Sequence, residues 1–214
     1  MSINNIALNN YKRFCSLEGS EYIASEFALE TILKLIKKFK INNVLELGLG
    51  IGSISDTVFK YANSKNIAIK YVGTEKNEFC LNALKTYVED YEKIELFSEL
   101  KDIENQKFDF IIIDGLDETL KEIVKYCYEN TIIFIEGDRS GQTKAVLEIF
   151  PKSLYVNVIS LNKNKEYAAG DCKPTHYVGG GQLIFVNPTL KMKFLWFKEK
   201  SKTFIIRKIR LIKK

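Results

Sequence analysis

An apolar run that stops in glycines and restarts as a helix constrains this chain more than any other feature. Val44-Leu45-Glu46-Leu47 is short and nearly all hydrophobic, and Gly48-Leu49-Gly50-Ile51-Gly52 follows it directly. An apolar run of that length suits a strand buried on both faces. Glycines at alternate positions let the backbone turn tightly and approach a ligand with no side chains in the way. The next segment carries Ile54 and Val58 on one helical face, and a helix start offers amides with no partner inside the helix.

The same unit recurs along the chain. An amphipathic helix is predicted over Glu21 to Lys40, with Leu29, Ile32, Leu33, Ile36 and Phe39 at helical spacing and lysines between them; Asn42-Asn43 breaks it. After the glycine turn come a strand (Ile69 to Thr74), a helix (Phe79, Ala83, Leu84, Val88) and a short strand (Lys93 to Phe97). Then follow a strand (Phe108 to Ile113), a helix (Leu120, Ile123, Val124, Cys127), a strand (Thr131 to Ile135) and a helix (Val146, Ile149). Strands of this kind alternating with helices predict parallel strands covered on both faces by crossover helices. The last part differs: Leu154 to Leu161 and Leu183 to Val186 read as a hairpin-like pair closing the sheet edge. The loop between them holds Gly170, Pro174, His176 and glycines 179–181. The architecture is a doubly wound α/β domain.

Composition excludes several classes. Hydrophobic residues make up 46% and charged residues 28% of 214 residues, enough apolar material for one core. No run of 18 apolar residues exists, so no spanning helix is expected. The first ten residues, MSINNIALNN, lack the pattern of an export signal. Cys15, Cys80, Cys127 and Cys172 are scattered, and with one histidine in the chain a Cys/His zinc site is nearly excluded. They read as reduced thiols of a cytoplasmic protein. The net charge of +5 is unevenly placed: residues 191–214 hold ten Lys or Arg and one acid, while the rest of the chain sums to −4. The basic character therefore belongs to a C-terminal attachment, and nucleic acid is not favoured as a partner.

In sheets of this kind ligands bind beyond the carboxyl ends of the strands, where the strand order reverses. A dinucleotide fingerprint needs glycine at position 53, where this chain has Ser53. Glu46, two residues before the first glycine, repels a diphosphate but suits an ammonium group. Glu75 ends the second strand, placed to accept hydrogen bonds from ribose hydroxyls. A ligand with a ribose, a cationic amine and no phosphates meets all three conditions. S-adenosylmethionine is such a ligand; NAD meets only the first.

VLELGLGIG, YVGTE and FDFIIIDG resemble motifs of the class I S-adenosylmethionine-dependent methyltransferases, over residues 20 to 187. The resemblance implies a Rossmann-like, mostly parallel seven-stranded sheet whose last strand is antiparallel. Residues 1–190 would form the methyltransferase domain, with an N-terminal helical segment, and 191–214 the basic amphipathic extension. By position, Glu46, Gly48, Gly50 and Gly52 surround the methionine moiety, Glu75 holds the ribose, and Ser98 and Glu99 lie near adenine. Asp114, ending the fourth strand, is the candidate nearest the methyl group, both against the cofactor and as a catalytic base. The proline-rich signature of base-methylating enzymes is missing; Asp114-Gly115-Leu116-Asp117 stands there instead. IIIDG followed by a helix looks more like O-methyltransferases of small molecules and sugars.

Some of those hold a divalent cation such as Mg²⁺ with acids at this strand end and the next. Here Glu136-Gly137-Asp138 ends the fifth strand, and neighbouring strands lie about 4.8 Å apart. Asp114, Glu136 and Asp138 are thus metal-ligand candidates; alternatively Glu136 or Asp138 caps the next helix near Ser140. His176 is a second candidate base, and Tyr11 to Tyr22 with the 162–182 loop would wall the acceptor pocket.

In the tail, Ile205, Ile206, Ile209 and Ile212 fall on one helical face among basic residues, after the aromatic run Phe194-Leu195-Trp196-Phe197. That face docks on the domain or on a second subunit, or lies in an anionic membrane surface at the inner face of the membrane; the last suits an acceptor on a lipid-linked glycan. Two other functions stay open: a nicotinamide-dependent oxidoreductase, against which Ser53 and Glu46 weigh, and a non-catalytic S-adenosylmethionine-binding protein.

Overall fold

Seven strands form one sheet in the order β3-β2-β1-β4-β5-β7-β6. They are β1 (Asn43–Leu47), β2 (Lys70–Thr74), β3 (Ile94–Phe97), β4 (Phe108–Ile113), β5 (Cys127–Glu136), β6 (Leu154–Val158) and β7 (Gly181–Phe185). The computed structural model describes residues 1–104, 106–168 and 172–213; Gly170 of the acceptor-side loop and the terminal Lys214 lie outside them. β1 to β5 run parallel, whereas β7 is antiparallel to both β5 and β6. The expected mostly parallel seven-stranded sheet, closed by an antiparallel last strand, is what forms.

Register brings the site together. Leu47 pairs with Thr74 on one side and Ile113 on the other, so β1, β2 and β4 end level. β1 and β4 are the neighbours from which successive crossovers run in opposite directions, and the crevice opens above them. Side chains alternate between faces along each strand. Val44, Phe110, Ile112 and Phe134 pack with α1 (Ile3–Cys15), α2 (Glu26–Phe39) and α3 (Ser53–Lys65). Leu45, Leu47, Ile111 and Ile133 pack on the other face, with Ile123 and with Val146 of α5 (Ser140–Ile149). α4 (Glu78–Tyr87) follows β2.

Several expected boundaries move, each for a local reason. The helix predicted from Glu21 begins at Glu26, because Ser25 accepts a hydrogen bond from the Ala28 amide and caps it. Residues 20–22 form a separate 3-10 turn. The helix expected around Leu120 to Cys127 is also a 3-10 helix, over Leu120–Tyr126. Leu120, Ile123 and Tyr126 are buried at a spacing of three, which is the 3-10 repeat. Cys127 instead starts β5, and exposed residues 128–130 hide that start from a reading of apolar runs. β6 stops at Val158, short of Leu161.

The basic tail is one helix, α6 (Leu190–Ile212), docked along β6. Trp196 Nε1 donates to the Tyr155 carbonyl (2.8 Å), Thr203 Oγ1 to that of Asn157 (2.6 Å) and Arg210 Nε to that of Ser160 (3.1 Å). The docked side carries Met192, Leu195 and Ile206. Ile205 and Ile212 are exposed, so the four isoleucines do not act as one buried face. The docking face is set upstream, by Met192 and Leu195, and the helical period carries it on to Thr203, Ile206 and Arg210.

Candidate functional site

Gly48 and Gly50 are both in the left-handed region, at φ +85° and +54°, where a side chain is strained. Space is equally restrictive. A Cβ at Gly48 would stand 2.4 Å from Gly115 Cα, and one at Gly50 would stand 2.5 Å from the Tyr22 carbonyl oxygen. Gly52 packs against Val88 and Leu84 at the start of α3. The room that the glycines leave is thus largely taken by the protein itself: the turn after β4, a strap over residues 20–25, and a helix contact. The strap is tied down by the Ala24 amide to Ser53 Oγ (3.1 Å), the Ser25 amide to Glu136 Oε1 (3.2 Å) and Ser25 Oγ to the Gly179 carbonyl (3.0 Å).

Glu75 organises the turns after β1 and β2. Its Oε2 accepts from the Gly50 amide and its Oε1 from the amides of Lys76 and Asn77, each at 2.8 Å. A carboxylate has about four acceptor positions, so one remains, on Oε2. Gly48, Glu75 and Ser98, three of the expected cofactor residues, line one hollow of about 210 Å³ together with Asn77, Gly115 and Asp117. Asp117 escaped the sequence reading; its Oδ2 accepts from the Leu100 amide at 3.0 Å and so joins the turn after β4 to the loop after β3.

Glu46 lies beneath the glycine turn and is fully buried. The Tyr71 hydroxyl donates to its Oε2, while Oε1 has no hydrogen-bond partner among the described residues. Burial pushes its pKa well above the usual carboxylate range; the Tyr71 hydrogen bond opposes this, and Asp114 and Glu75 add to it. Glu46 is not among the residues that line the hollow, and its side chain contacts Tyr71 beside it.

At the end of β4, Asp114 is held by Arg139, whose Nη2 donates to Asp114 Oδ1 at 3.0 Å and to the Asp114 carbonyl. Arg139 Nε also donates to the Glu136 carbonyl at 3.0 Å. Burial raises the pKa of Asp114 well above its ordinary value, nearby Glu136 raises it further, and Arg139 opposes both. Glu136 is likewise raised, chiefly by burial, against the Ser25 amide and Arg139. Glu136 lines a second hollow of about 500 Å³ with Tyr11, Ser25, Cys172 and Gly179.

The three acids considered for a divalent cation do not meet. Asp138 lines a separate hollow beside Lys144 and Tyr155, and among the described residues no group of three His, Cys, Asp or Glu is placed to hold a metal ion. The cation beside Asp114 is Arg139. Nor do Glu136 and Asp138 cap α5, whose N-cap is Arg139 with no side-chain hydrogen bond. His176 is exposed and does not line the second hollow, to which its loop contributes Asn164, Cys172 and Gly179.

No protein-family model and no curated protein matches the sequence. Solved structures match the fold. Cofactor-bound Rv0187 from MTB is 12% identical, with 86% of this chain and 90% of that one covered at a TM-score of 0.56. The SAH-bound methyltransferase PaMTH1 of Podospora anserina is 13% identical, with 84% and 87% covered at 0.52. An O-methyltransferase from Bacillus cereus in complex with SAH is 13% identical, with 86% and 90% covered at 0.50. The chain has the Rossmann-like fold of the class I methyltransferases, with their strand order and antiparallel last strand.

Proposed function

We propose that this chain is an S-adenosylmethionine-dependent methyltransferase acting on a hydroxyl group of a small molecule or saccharide. The observation that carries the reading is the meeting of Gly48, Glu75 and Ser98, from the ends of three neighbouring strands, around one hollow at the reversal of strand order. Charge narrows the ligand class. Asp114 and Glu75 both raise the proton affinity of Glu46, and Glu75 that of Asp114, so added phosphate charge at these strand ends meets the same repulsion, which an ammonium or sulfonium relieves.

The residues fit that cofactor. The unpartnered Glu46 Oε1 is a buried acceptor whose ionised form gains from a cation above the glycine turn. The remaining acceptor position on Glu75 Oε2 serves a ribose hydroxyl. The SAH complexes among the solved structures of this fold support the same reading.

The donor, when bound, supplies an electrophilic methyl group. The chain aligns the acceptor and removes its proton. Asp114, fixed by Arg139, directly precedes Gly115, which lines the first hollow. Glu136 faces the acceptor-side hollow with a raised pKa, which makes it a stronger base than an ordinary carboxylate and a better-placed one than His176. The strap over residues 20–25 limits water at the strand ends.

Transfer of a labelled methyl group from S-adenosylmethionine to a panel of hydroxylated acceptors tests the reading. Glu136→Gln is expected to lower kcat by about 10²–10⁴-fold with little change in S-adenosylhomocysteine affinity. The limiting rate of the unaltered protein should fall with acid through a pKa above the ordinary carboxylate range, because the base must be ionised. Tight S-adenosylhomocysteine binding with no transfer to any hydroxyl acceptor would leave a non-catalytic binder instead.

A further inference from the structure

The outward side of α6 is apolar where a surface helix is normally polar. Leu190, Phe194, Phe197, Phe204, Ile205 and Leu211 are all exposed, the three phenylalanines at 75%, 66% and 64%. At about 100° per residue they fall on one side of the helix, opposite the docked residues Met192, Leu195, Thr203 and Ile206, with Ser201 and Lys208 the polar residues among them, the latter over the Phe204 ring. Basic residues border the stripe on both sides: Lys191, Lys198 and Lys202 along one edge, Lys193, Lys200 and Arg207 along the other. Glu199 is the one acid of the helix, and it sits towards the docked side.

We propose that α6 is an in-plane anchor that seats its outer stripe in an anionic lipid bilayer. A patch of this size on an exposed helix marks an interaction surface. The flanking rows select its occupant. Residues 191–214 carry +9, so pairing the stripe with the same stripe of a second copy brings two such charges together. An anionic bilayer supplies acyl chains for the phenylalanines and headgroups for Lys193, Lys198, Arg207 and Lys208, while Lys191 and Lys202 reach back to the Lys38 carbonyl and to Glu199. No helix among the described residues is long and apolar enough to cross a membrane, which leaves the surface orientation. Because the inner side of α6 is already packed on β6, the domain is held against the bilayer rather than on a free tether.

Co-sedimentation of the full chain with vesicles tests this, comparing phosphatidylcholine alone with phosphatidylcholine containing about one-third phosphatidylserine, at about 0.1 M salt. Partitioning to the anionic vesicles should exceed that to neutral ones by about 10-fold or more and weaken with added salt. A triple variant, Phe194→Ser with Phe197→Ser and Phe204→Ser, should lose about 10-fold while keeping its melting temperature, since all three side chains are exposed. A second variant, Lys193→Gln with Lys198→Gln and Arg207→Gln, should reduce the preference for anionic lipid. Four results would overturn the proposal: no vesicle binding; binding that the phenylalanine variant leaves unchanged; a dimer that this variant dissolves, without vesicle binding; or binding to an RNA oligonucleotide in place of vesicles.

Discussion

At the level of single residues, chemistry is set by groups that the sequence pattern did not connect. Glu46 and Glu75 stood out because a short apolar strand ends beside each. Their partners did not: Tyr71 reads as an ordinary strand aromatic, and Arg139 as a loop charge 25 positions from the Asp114 it holds. Contacts across strands become visible only when register is known. Glu46 gives a test of its environment. Burial raises its pKa, so the native chain holds that proton more tightly than the unfolded chain does. The stability this confers is fully present below the ordinary carboxylate pKa and is lost as pH rises through the raised value. Glu46→Gln keeps the shape without the charge. Its melting temperature should exceed that of the unaltered protein at neutral pH, and the difference should shrink towards about pH 4. A variant less stable at neutral pH would show that the carboxylate is ionised and well partnered.

At the level of elements, strands were legible and helix faces less so. Buried parallel strands are nearly pure apolar runs, and Phe108–Ile113 was found with its boundaries intact. α1 was foreseen only as a helical segment, because much of its hold on the domain is polar. Asp56 on α3 accepts from Arg13 (2.8 Å), Lys60 (2.7 Å) and the Glu89 amide (3.1 Å), and Asn10 Nδ2 donates to Thr57 Oγ1 (2.7 Å). Beside this polar junction α1 also buries Ile6, Ala7, Tyr11 and Phe14 at helical spacing, a period short enough to pass over in a segment this polar. In α6 the period was read over too short a window, so the face set by Met192 and Leu195 was misplaced. Asp56→Ala should destabilise the chain by about 2–3 kcal/mol, below the ~3–5 kcal/mol of a fully buried pair, because Arg13 and Lys60 are each about one-third exposed (38% and 33%) and can rehydrate. Urea unfolding measures this, and a change under about 0.5 kcal/mol, the range of an ordinary surface substitution, would mean that the packing around Phe14 holds α1 without the charges.

At the level of the whole molecule, the chain divides by charge: a mildly acidic body carries the crevice, and the C-terminal residues 191–214, nearly all in one basic helix, carry the +9. The fold was readable because glycine turn, strand-end acid and strand–helix alternation agree with one another. The second hollow was not, since it is built from Tyr11, the strap, Glu136 and a loop, segments whose meeting depends on tertiary structure. What the strand ends bind is the claim on which the functional reading turns, and isothermal titration of the full chain with S-adenosylhomocysteine and with NAD measures it directly. The expected result is saturable one-to-one binding of S-adenosylhomocysteine, lost on Glu75→Ala, with no detectable heat from NAD. Tight NAD binding with no response to S-adenosylhomocysteine would contradict it and return the fold to the nicotinamide-dependent reading.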